Sequence, residues 1–572
     1  WILEFHRREA KPVFWRLFER LGLSHVELLD DLNCLACCER TRRDAFKPTP
    51  RSRNLAYEFQ FDPAQEFKGA SNSFYLLGLE DENGKYLKAN YLEEFSDLPN
   101  GLIVLQMRQE FSDLITIVPD EHVNANPIPQ SVYQVVEDYE SGQLERCAII
   151  DFLNRSKPVI KNYKDDPIAS SNDPNQRLQQ VINSVKNLDN SYLTIQGPPG
   201  SGKSHTGKHI IAELVKTGAK IGVSSNSHKA INNLLLSTAK FCREEGINAT
   251  FACTKETEPE LIDAGVSILN NNNLANHVEP GCVLGTTAWG FSRDDMSEQL
   301  DYLFVDEAGQ VSIANLVAMS RSSKNLVLMG DQMQLGQPSQ GTHPAESGLS
   351  ILDYLLHDTP TISNDMGVFL GTTYRMHSAI NQFISTHIYD GKLESHPDND
   401  KRTIKVPNDY KGILNKEAGI IFSAVCHEGN TQASDEEVAE IETMVNQLLG
   451  RTFTELSDKS RPVTLDDMLF VAPYNHQVSK LKQVFGSQAK VGSVDKFQGQ
   501  EAPIVFLSMC ASDASESPRG LDFLFDKHRI NVAISRAQSL AIIVGNPRMV
   551  STPVNRVDQL KTINLFNALC ME

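Results

Sequence analysis

The octapeptide Gly197-Pro198-Pro199-Gly200-Ser201-Gly202-Lys203-Ser204 restricts the fold of this chain more than any other stretch. It fits the pattern GxxxxGK[ST], follows an apolar run at Tyr192–Gln196 and precedes a helical pattern at 210–215. In that setting the glycines let backbone N–H groups turn inward onto phosphate oxygens, and the helix N-terminus adds positive potential. Lys203 is then placed to reach β- and γ-phosphates, and the Ser204 hydroxyl to ligate Mg²⁺. A loop of this kind needs an acid on a neighbouring strand end. Leu303-Phe304-Val305-Asp306-Glu307 supplies one, with Asp306 as the second Mg²⁺ residue and Glu307 placed to orient or deprotonate an attacking water.

The chain around these motifs changes texture along its 572 residues. Residues 1–50 read as a helical lead-in, with Phe14, Leu17, Phe18 and Leu21 at helical spacing. Short apolar runs split by turn signals follow, such as Tyr57–Phe61, 102–105 and 114–118, and predict a small antiparallel β-barrel over 51–150. The stretch 157–174 reads as a linker. From about 175 the pattern is α/β. Strands are expected at 192–196, 220–224, 283–287, 303–306 and 326–330, and again at 419–423, 468–472, 490–493, 504–509 and 541–545. Two successive sets predict two similar parallel-sheet domains, 151–355 and 356–572. The acid-rich stretch Asp435–Glu442 reads as a solvated helix face, and 270–273 as a loop.

Composition is that of a globular chain, with a formal net charge of −19 from 54 Lys+Arg against 73 Asp+Glu. Overall acidity argues against a sequence-independent nucleic-acid binder, which usually presents a basic surface. The charge is unevenly spread, however. More than half of the negative excess lies in 51–150, whereas 201–240 holds six lysines against one glutamate. A groove of local positive potential is therefore compatible with the total, and the acidic barrel is a poor general phosphate binder. The ten cysteines form no disulfide framework. Cys34, Cys37 and Cys38 lack the second ligand pair that a zinc site needs, and a reducing cytoplasmic setting is the simplest expectation. No apolar run reaches the length of a membrane span, and no signal peptide is visible. The chain lacks an initiator Met, so a longer parent protein is expected.

Downstream motifs add a family resemblance. Asp306-Glu307-Ala308-Gly309-Gln310 resembles the DEAxQ form of motif II in superfamily 1 helicases. Gly330–Leu335 resembles motif III. Tyr374-Arg375-Met376-His377, with 389–393, resembles the YRMH segment of the up-frameshift-type branch. Ala472–Gln477 resembles its PYxxQ segment, 494–501 motif V, and Asn531–Ala537 motif VI. The resemblance implies two tandem RecA-like P-loop domains and ATP hydrolysis between them. It makes Gln176 the adenine-reading residue and Tyr374 an adenine stacker. It makes Gln334 a γ-phosphate sensor, Arg375 and Arg536 arginine fingers, and Glu501 a ribose contact. Ser227 and His228, in a segment resembling motif Ia, and Thr287, Trp289, Pro473 and Tyr474 become nucleic-acid contacts, with Trp289 or Tyr474 stacking on a base.

A weaker resemblance at 6–15 is to the helicase part of bacterial RecB-like nuclease–helicase fusions. It makes 1–50 the candidate end of an upstream nuclease domain and single-stranded DNA the expected partner, moved along 5′-to-3′. RNA remains the alternative substrate, and a nucleotide-switched clamp without processive unwinding the alternative activity.

Overall fold

A computed structural model describes every residue except 66, 68–70, 109–112, 145, 164–166, 172, 358, 487, 498, 515–516 and 555. Gln498, within the expected motif V, lies outside the described residues. The chain forms two compact units, residues 1–126 with 339–348, and 127–338 with 349–572.

The first unit begins with helix α1 (Phe5–Leu21), which buries Phe5, Val13, Leu17 and Arg20. A closed barrel follows, built from β1 (Leu35–Arg40), β2 (Leu55–Gln60), β3 (Ser73–Glu80), β4 (Tyr86–Tyr91), β5 (Leu102–Met107) and β6 (Leu114–Pro119), in the order β1-β2-β5-β4-β3-β6. Closure removes the open edges that a short antiparallel sheet would expose. Its core includes Phe59, Phe74, Ile103, Leu105 and Ile117. The helical reading of 1–50 thus holds for 5–21 and fails at 35–40. There β1 pairs with both β2 and β6, and a register shift beside Cys37, at φ +53°, carries the strand round. Cys34 and Cys38 are buried, and burial pushes both thiols up to about 12.

The second unit opens with α2 (Ile128–Glu140), which falls inside the span expected for the barrel, and α3 (Ala148–Leu153), which straddles its end at 150. Helix α4 (Pro174–Lys186) begins with Pro174 at its first turn, and Asp173 caps it by accepting the Gln176 N–H at 2.8 Å. An eight-stranded parallel sheet follows. Its strands are β7 (Tyr192–Gln196), β8 (Ile221–Ser224), β9 (Thr250–Cys253), β10 (Val266–Ile268), β11 (Cys282–Gly285), β12 (Leu300–Val305), β13 (Ser323–Gly330) and β14 (Gly367–Phe369), in the order β10-β9-β11-β8-β12-β13-β7-β14. Strand β7 is buried at every residue, as expected for a parallel strand covered on both faces. Because β14 pairs with β7, the first sheet runs past residue 355, where the sequence reading had ended it.

Two short pairs, β15 (Thr372–Thr373) with β16 (Glu394–Ser395) and β17 (Thr403–Ile404) with β19 (Thr452–Thr454), flank the second sheet; β20 (Ser460–Pro462) extends the latter. The second sheet is parallel and five-stranded: β18 (Gly419–Ala424), β21 (Met468–Val471), β22 (Lys490–Gly492), β23 (Ala502–Ser508) and β24 (Ala537–Gly545), in the order β18-β24-β23-β21-β22. Two parallel-sheet P-loop-type domains downstream of a helix and a barrel are the architecture expected. Among the described residues, no helix is long and apolar enough to cross a membrane.

Candidate nucleotide site between two parallel sheets

Parallel sheets bind ligands beyond the carboxyl ends of their strands. In the first sheet those ends gather the motifs. Pairing of β13 with β7 sets Gly330 opposite Gln196, and the Gly197 N–H donates to the Gly330 carbonyl at 2.9 Å. The chain then turns through Gly200 (φ +72°) and Gly202 (φ +83°) into α5 (Lys203–Val215). Both glycines hold backbone that side chains rarely adopt. A Cβ on Gly197 would lie 2.2 Å from Lys203 Cγ, so the loop closes tightly around the lysine stem. Lys203 Nζ donates to the Gly197 carbonyl at 2.7 Å, which parks its charge at the loop mouth. The buried Ser201 Oγ has no hydrogen-bond partner among the described residues. Ser204 is exposed on the first turn of α5.

Asp306 follows β12 and is buried. Burial first, and repulsion from Glu307 second, push its carboxyl up to about 7, while Lys203 pulls the other way. Its oxygen accepts the Glu307 N–H at 2.9 Å. A divalent cation beside this pair would relieve both effects, and Ser204 and Asp306 are the residues that would hold Mg²⁺. Glu307 sits at φ +53°, an unusual conformation for a non-glycine residue and one often found at functional sites.

The second domain closes the site. Thr373 Oγ1 donates to the Pro199 carbonyl at 2.9 Å, and the Tyr374 N–H to the Gly200 carbonyl at 2.9 Å. A Cβ on Gly200 would lie 2.5 Å from Arg375 Cβ. Arg375 pairs with Glu501 and donates to the Ser535 carbonyl at 3.2 Å. Burial works to raise the Glu501 carboxyl, but Arg375 and a hydrogen bond from Gln538 hold it below its ordinary value. Arg536 is 2% exposed. Its bonds are long and go to neutral oxygens, Gln500 O at 3.3 Å and Gln334 Oε1 at 3.4 Å, and its Nε has no partner among the described residues. Burial, then repulsion from Arg375, lowers its guanidinium to about 9. A buried cation so weakly paired suits an anion brought in from outside.

Tyr374, 42% exposed, lines a cavity of about 480 Å³ with Asn175, Arg177, Leu178, Gly200–Gly202, His205 and Leu370. The cavity adjoins the loop and has the size and apolar lining of a base pocket. Gln176 is exposed and absent from this lining, and its Oε1 accepts from Ser171 at 3.1 Å. Its neighbours Asn175 and Arg177 face the cavity instead.

A link that the motifs did not signal joins the two domains. Gln334 Nε2 donates to Asp331 at 2.9 Å, and the Tyr389 hydroxyl to the same carboxylate oxygen at 2.7 Å. Asn531 donates to the Tyr389 oxygen at 3.0 Å and to the Met333 carbonyl at 2.7 Å. Spacing alone could not reveal it, since its members stand far apart in sequence.

The expected nucleic-acid residues separate into two sets. Ser227 is exposed and leads into α6 (His228–Glu244) after β8. Thr287 and the half-buried Trp289 stand at the short helix Ala288–Phe291 after β11. These lie at carboxyl ends of the first sheet. His228 Nδ1 is buried without a partner among the described residues. At the second sheet Pro473 is half-buried, but Tyr474 is only 6% exposed. Its ring packs 5.4 Å from Phe523 and its hydroxyl bonds to Ser517, so Tyr474 is a packing residue here rather than a base stacker.

Nearby, the helix Asp435–Leu448 is not solvated throughout. Glu437 is 0% exposed. It accepts from Ser508 Oγ at 2.6 Å and from the Cys510 N–H at 2.9–3.0 Å, and it lies 3.0 Å from His427 Nε2.

Two family models, each described as an AAA domain, match residues 180–341 and 349–548. The DNA replication ATP-dependent helicase/nuclease DNA2 of Gallus gallus is 26% identical over 73% of this chain and 41% of its own length. Putative helicase MOV-10 of Gallus gallus is 30% identical over 44% of this chain and 30% of its own. The regulator of nonsense transcripts 1 homolog of Drosophila melanogaster is 25% identical over 66% and 35%. The chain therefore spans less than half the length of these relatives. The solved structure of arterivirus nonstructural protein 10 (helicase) covers 91% of this chain at 12% identity with a TM-score of 0.36. The chain thus carries two AAA-type P-loop ATPase domains, one over each parallel sheet, and this domain architecture is similar to that of the DNA2, MOV-10 and regulator of nonsense transcripts relatives.

Proposed function

We propose that the protein is an ATP-driven helicase or translocase on single-stranded nucleic acid, with DNA as its substrate and 5′-to-3′ movement. The observation that carries this reading is the meeting of Arg375 and Arg536, from the second domain, with the phosphate loop and Gln334 of the first. In this reading Lys203 and the loop amides hold the phosphates, and Glu307 aligns the attacking water. Mg²⁺ held by Ser204 and Asp306 would neutralise phosphate charge. Arg375 and Arg536 stabilise the charge that develops on the transferring phosphoryl group. Tyr374 stacks on the base, Glu501 contacts the ribose, and Gln176 reads the base only after turning from Ser171 towards the cavity that Asn175 and Arg177 line. Hydrolysis that needs both domains ties nucleotide state to closure of the gap between them. Two such domains, alternately gripping through Ser227, His228, Thr287, Trp289 and Pro473, step along a strand.

The DNA assignment draws on the nuclease–helicase fusion resemblance and on the DNA replication helicase/nuclease relatives. The experiment measures ATP turnover and strand displacement on matched DNA and RNA duplexes with single-strand tails of either polarity. DNA-stimulated turnover with displacement from a 5′ tail is expected. Preference for RNA would overturn the substrate, and stimulated turnover without displacement under single-turnover trapping would favour a clamp.

A further inference from the structure

The segment after motif III leaves the α/β fold. Gln334 is followed by Leu335-Gly336-Gln337-Pro338, and residues 339–348 then pack with the N-terminal unit before the chain returns at Leu349. A connection between a strand and the next helix needs only a few residues, so this excursion serves something other than closing the sheet.

Its attachment centres on one carboxylate in α1. Glu9 Oε1 accepts from the Ser339 hydroxyl at 2.7 Å and from the Gly341 N–H at 3.1 Å, and Glu9 Oε2 accepts from the Gln340 N–H at 3.0 Å. His343 Nε2 lies 2.5 Å from Oε1. Burial works to raise the Glu9 carboxyl, but these bonds together hold it below the usual range. The ring of Phe5 stacks on that of His343 at 4.4 Å. A Cβ on Gly341 would lie 2.5 Å from the Arg8 carbonyl oxygen, so loop and helix backbones touch. Arg16 donates to Gln340 at 3.0 Å.

Helix α1 is fixed to the barrel in turn. Arg20 pairs with Asp31 and Glu121, Phe14 stacks on His122 at 4.7 Å, and Leu17 shares a core with Val118. Loop, helix and barrel therefore form one body. Only four residues, 335–338, join Gln334 to that body, a reach of at most about 18 Å from Gln334 to Ser339 when fully extended.

We propose that Glu9 is a positioning residue that anchors the post-motif III loop, so that a nucleotide-driven shift of Gln334 is carried into α1 and the barrel. This rests on reading 197–204 as a nucleotide site. Four donors drawn from five consecutive residues make a clamp specific to this loop, whereas general packing would distribute such bonds along the helix.

The test is hydrogen–deuterium exchange of the full chain, with and without a non-hydrolysable ATP analogue and Mg²⁺. In the unmodified protein the analogue is expected to change exchange both at 330–335 and in α1. In Glu9→Ala the change at 330–335 remains and the change in α1 disappears, with analogue affinity retained. ATP turnover without nucleic acid stays near the unmodified rate. Strand displaced per ATP falls at least about fivefold, the low end of ordinary coupling between sites. A response at 330–335 with none in α1 of the unmodified protein would overturn the proposal. So would an intact α1 response in Glu9→Ala. Failure of the analogue to bind the unmodified protein would overturn the nucleotide reading itself, a distinct result. Ser339→Ala with His343→Phe removes two of the four donors while keeping an aromatic ring against Phe5. It is expected to weaken the α1 response should Glu9→Ala not fold.

Discussion

Asp306 and Glu437 are both buried acids beside the carboxyl ends of parallel strands, yet their surroundings differ. Glu437 is enclosed by Ser508, the Cys510 N–H and His427, and the network runs on. Gln477 bridges Ser508 and Ser434, Ser512 meets His427 at 2.7 Å, and Asn546 holds the His427 carbonyl. Around Asp306 the reverse holds. Ser201 Oγ, Ser224 Oγ, Ser225 Oγ, Gln310 Nε2 and Arg536 Nε are buried without partners among the described residues, and Asp306 itself is pushed up to about 7 by burial and Glu307. Folded proteins rarely leave such groups unpaired, because each costs about 1–3 kcal/mol. The difference separates two uses of buried polarity. One end of the molecule spends it on holding loops together, and the other keeps it available for a charged ligand.

This contrast predicts that variants at the first end lose turnover while the fold survives, and that variants at the second lose stability. Lys203→Ala should bring ATP turnover to background with unchanged thermal unfolding, and substantial residual turnover would break the phosphate-loop assignment. Glu307→Gln should still bind nucleotide, measured by equilibrium titration, and fail to hydrolyse it; loss of binding would remove Glu307 from the role of base. Arg536→Ala should leave binding in place and cut turnover by roughly 10³-fold or more. A mild effect there would mean that the second domain does not complete the site. Glu437→Ala, by contrast, should lower stability by about 3–5 kcal/mol, because it leaves Ser508, His427 and the Cys510 N–H buried without their shared acceptor at about 1–3 kcal/mol each. Chemical denaturation would record it, and an unfolding curve like that of the unmodified protein would erase the distinction. Tyr474→Phe should have the smallest effect, about 1 kcal/mol for one buried hydroxyl bond, with nucleic-acid affinity unchanged. A clear loss of affinity would return Tyr474 to the strand-binding surface.

The same contrast explains what could be read from the chain alone. Strands β7, β8, β11, β12 and β13, and the five of the second sheet, were legible as continuous apolar runs because parallel strands are covered on both faces. Strands β10 and β14 are the edges of the first sheet, and β9 and β10 keep exposed residues, so these three carry weaker apolar runs than the central strands. Strand β1 was missed because its strand character comes from closing the barrel, not from its composition. Within the site, the phosphate loop and Asp306 were legible because their chemistry depends on local spacing. The Asp331–Tyr389–Asn531 link and the pairing of Arg375 with Glu501 were not, because they join distant segments. Glu437 was misread since an acid-rich helix start looks solvated until the strands that cover it are known.

Gly200 leads to a last consequence. The absence of a side chain there lets the Arg375 Cβ position come within 2.5 Å of where a methyl group would stand. The residue therefore acts as a spacer gauge of zero thickness between the two domains. Any side chain at position 200 would strain the left-handed backbone of the loop and at the same time meet Thr373 and Arg375, so this one position sets both the shape of the loop and how closely the second domain can approach it.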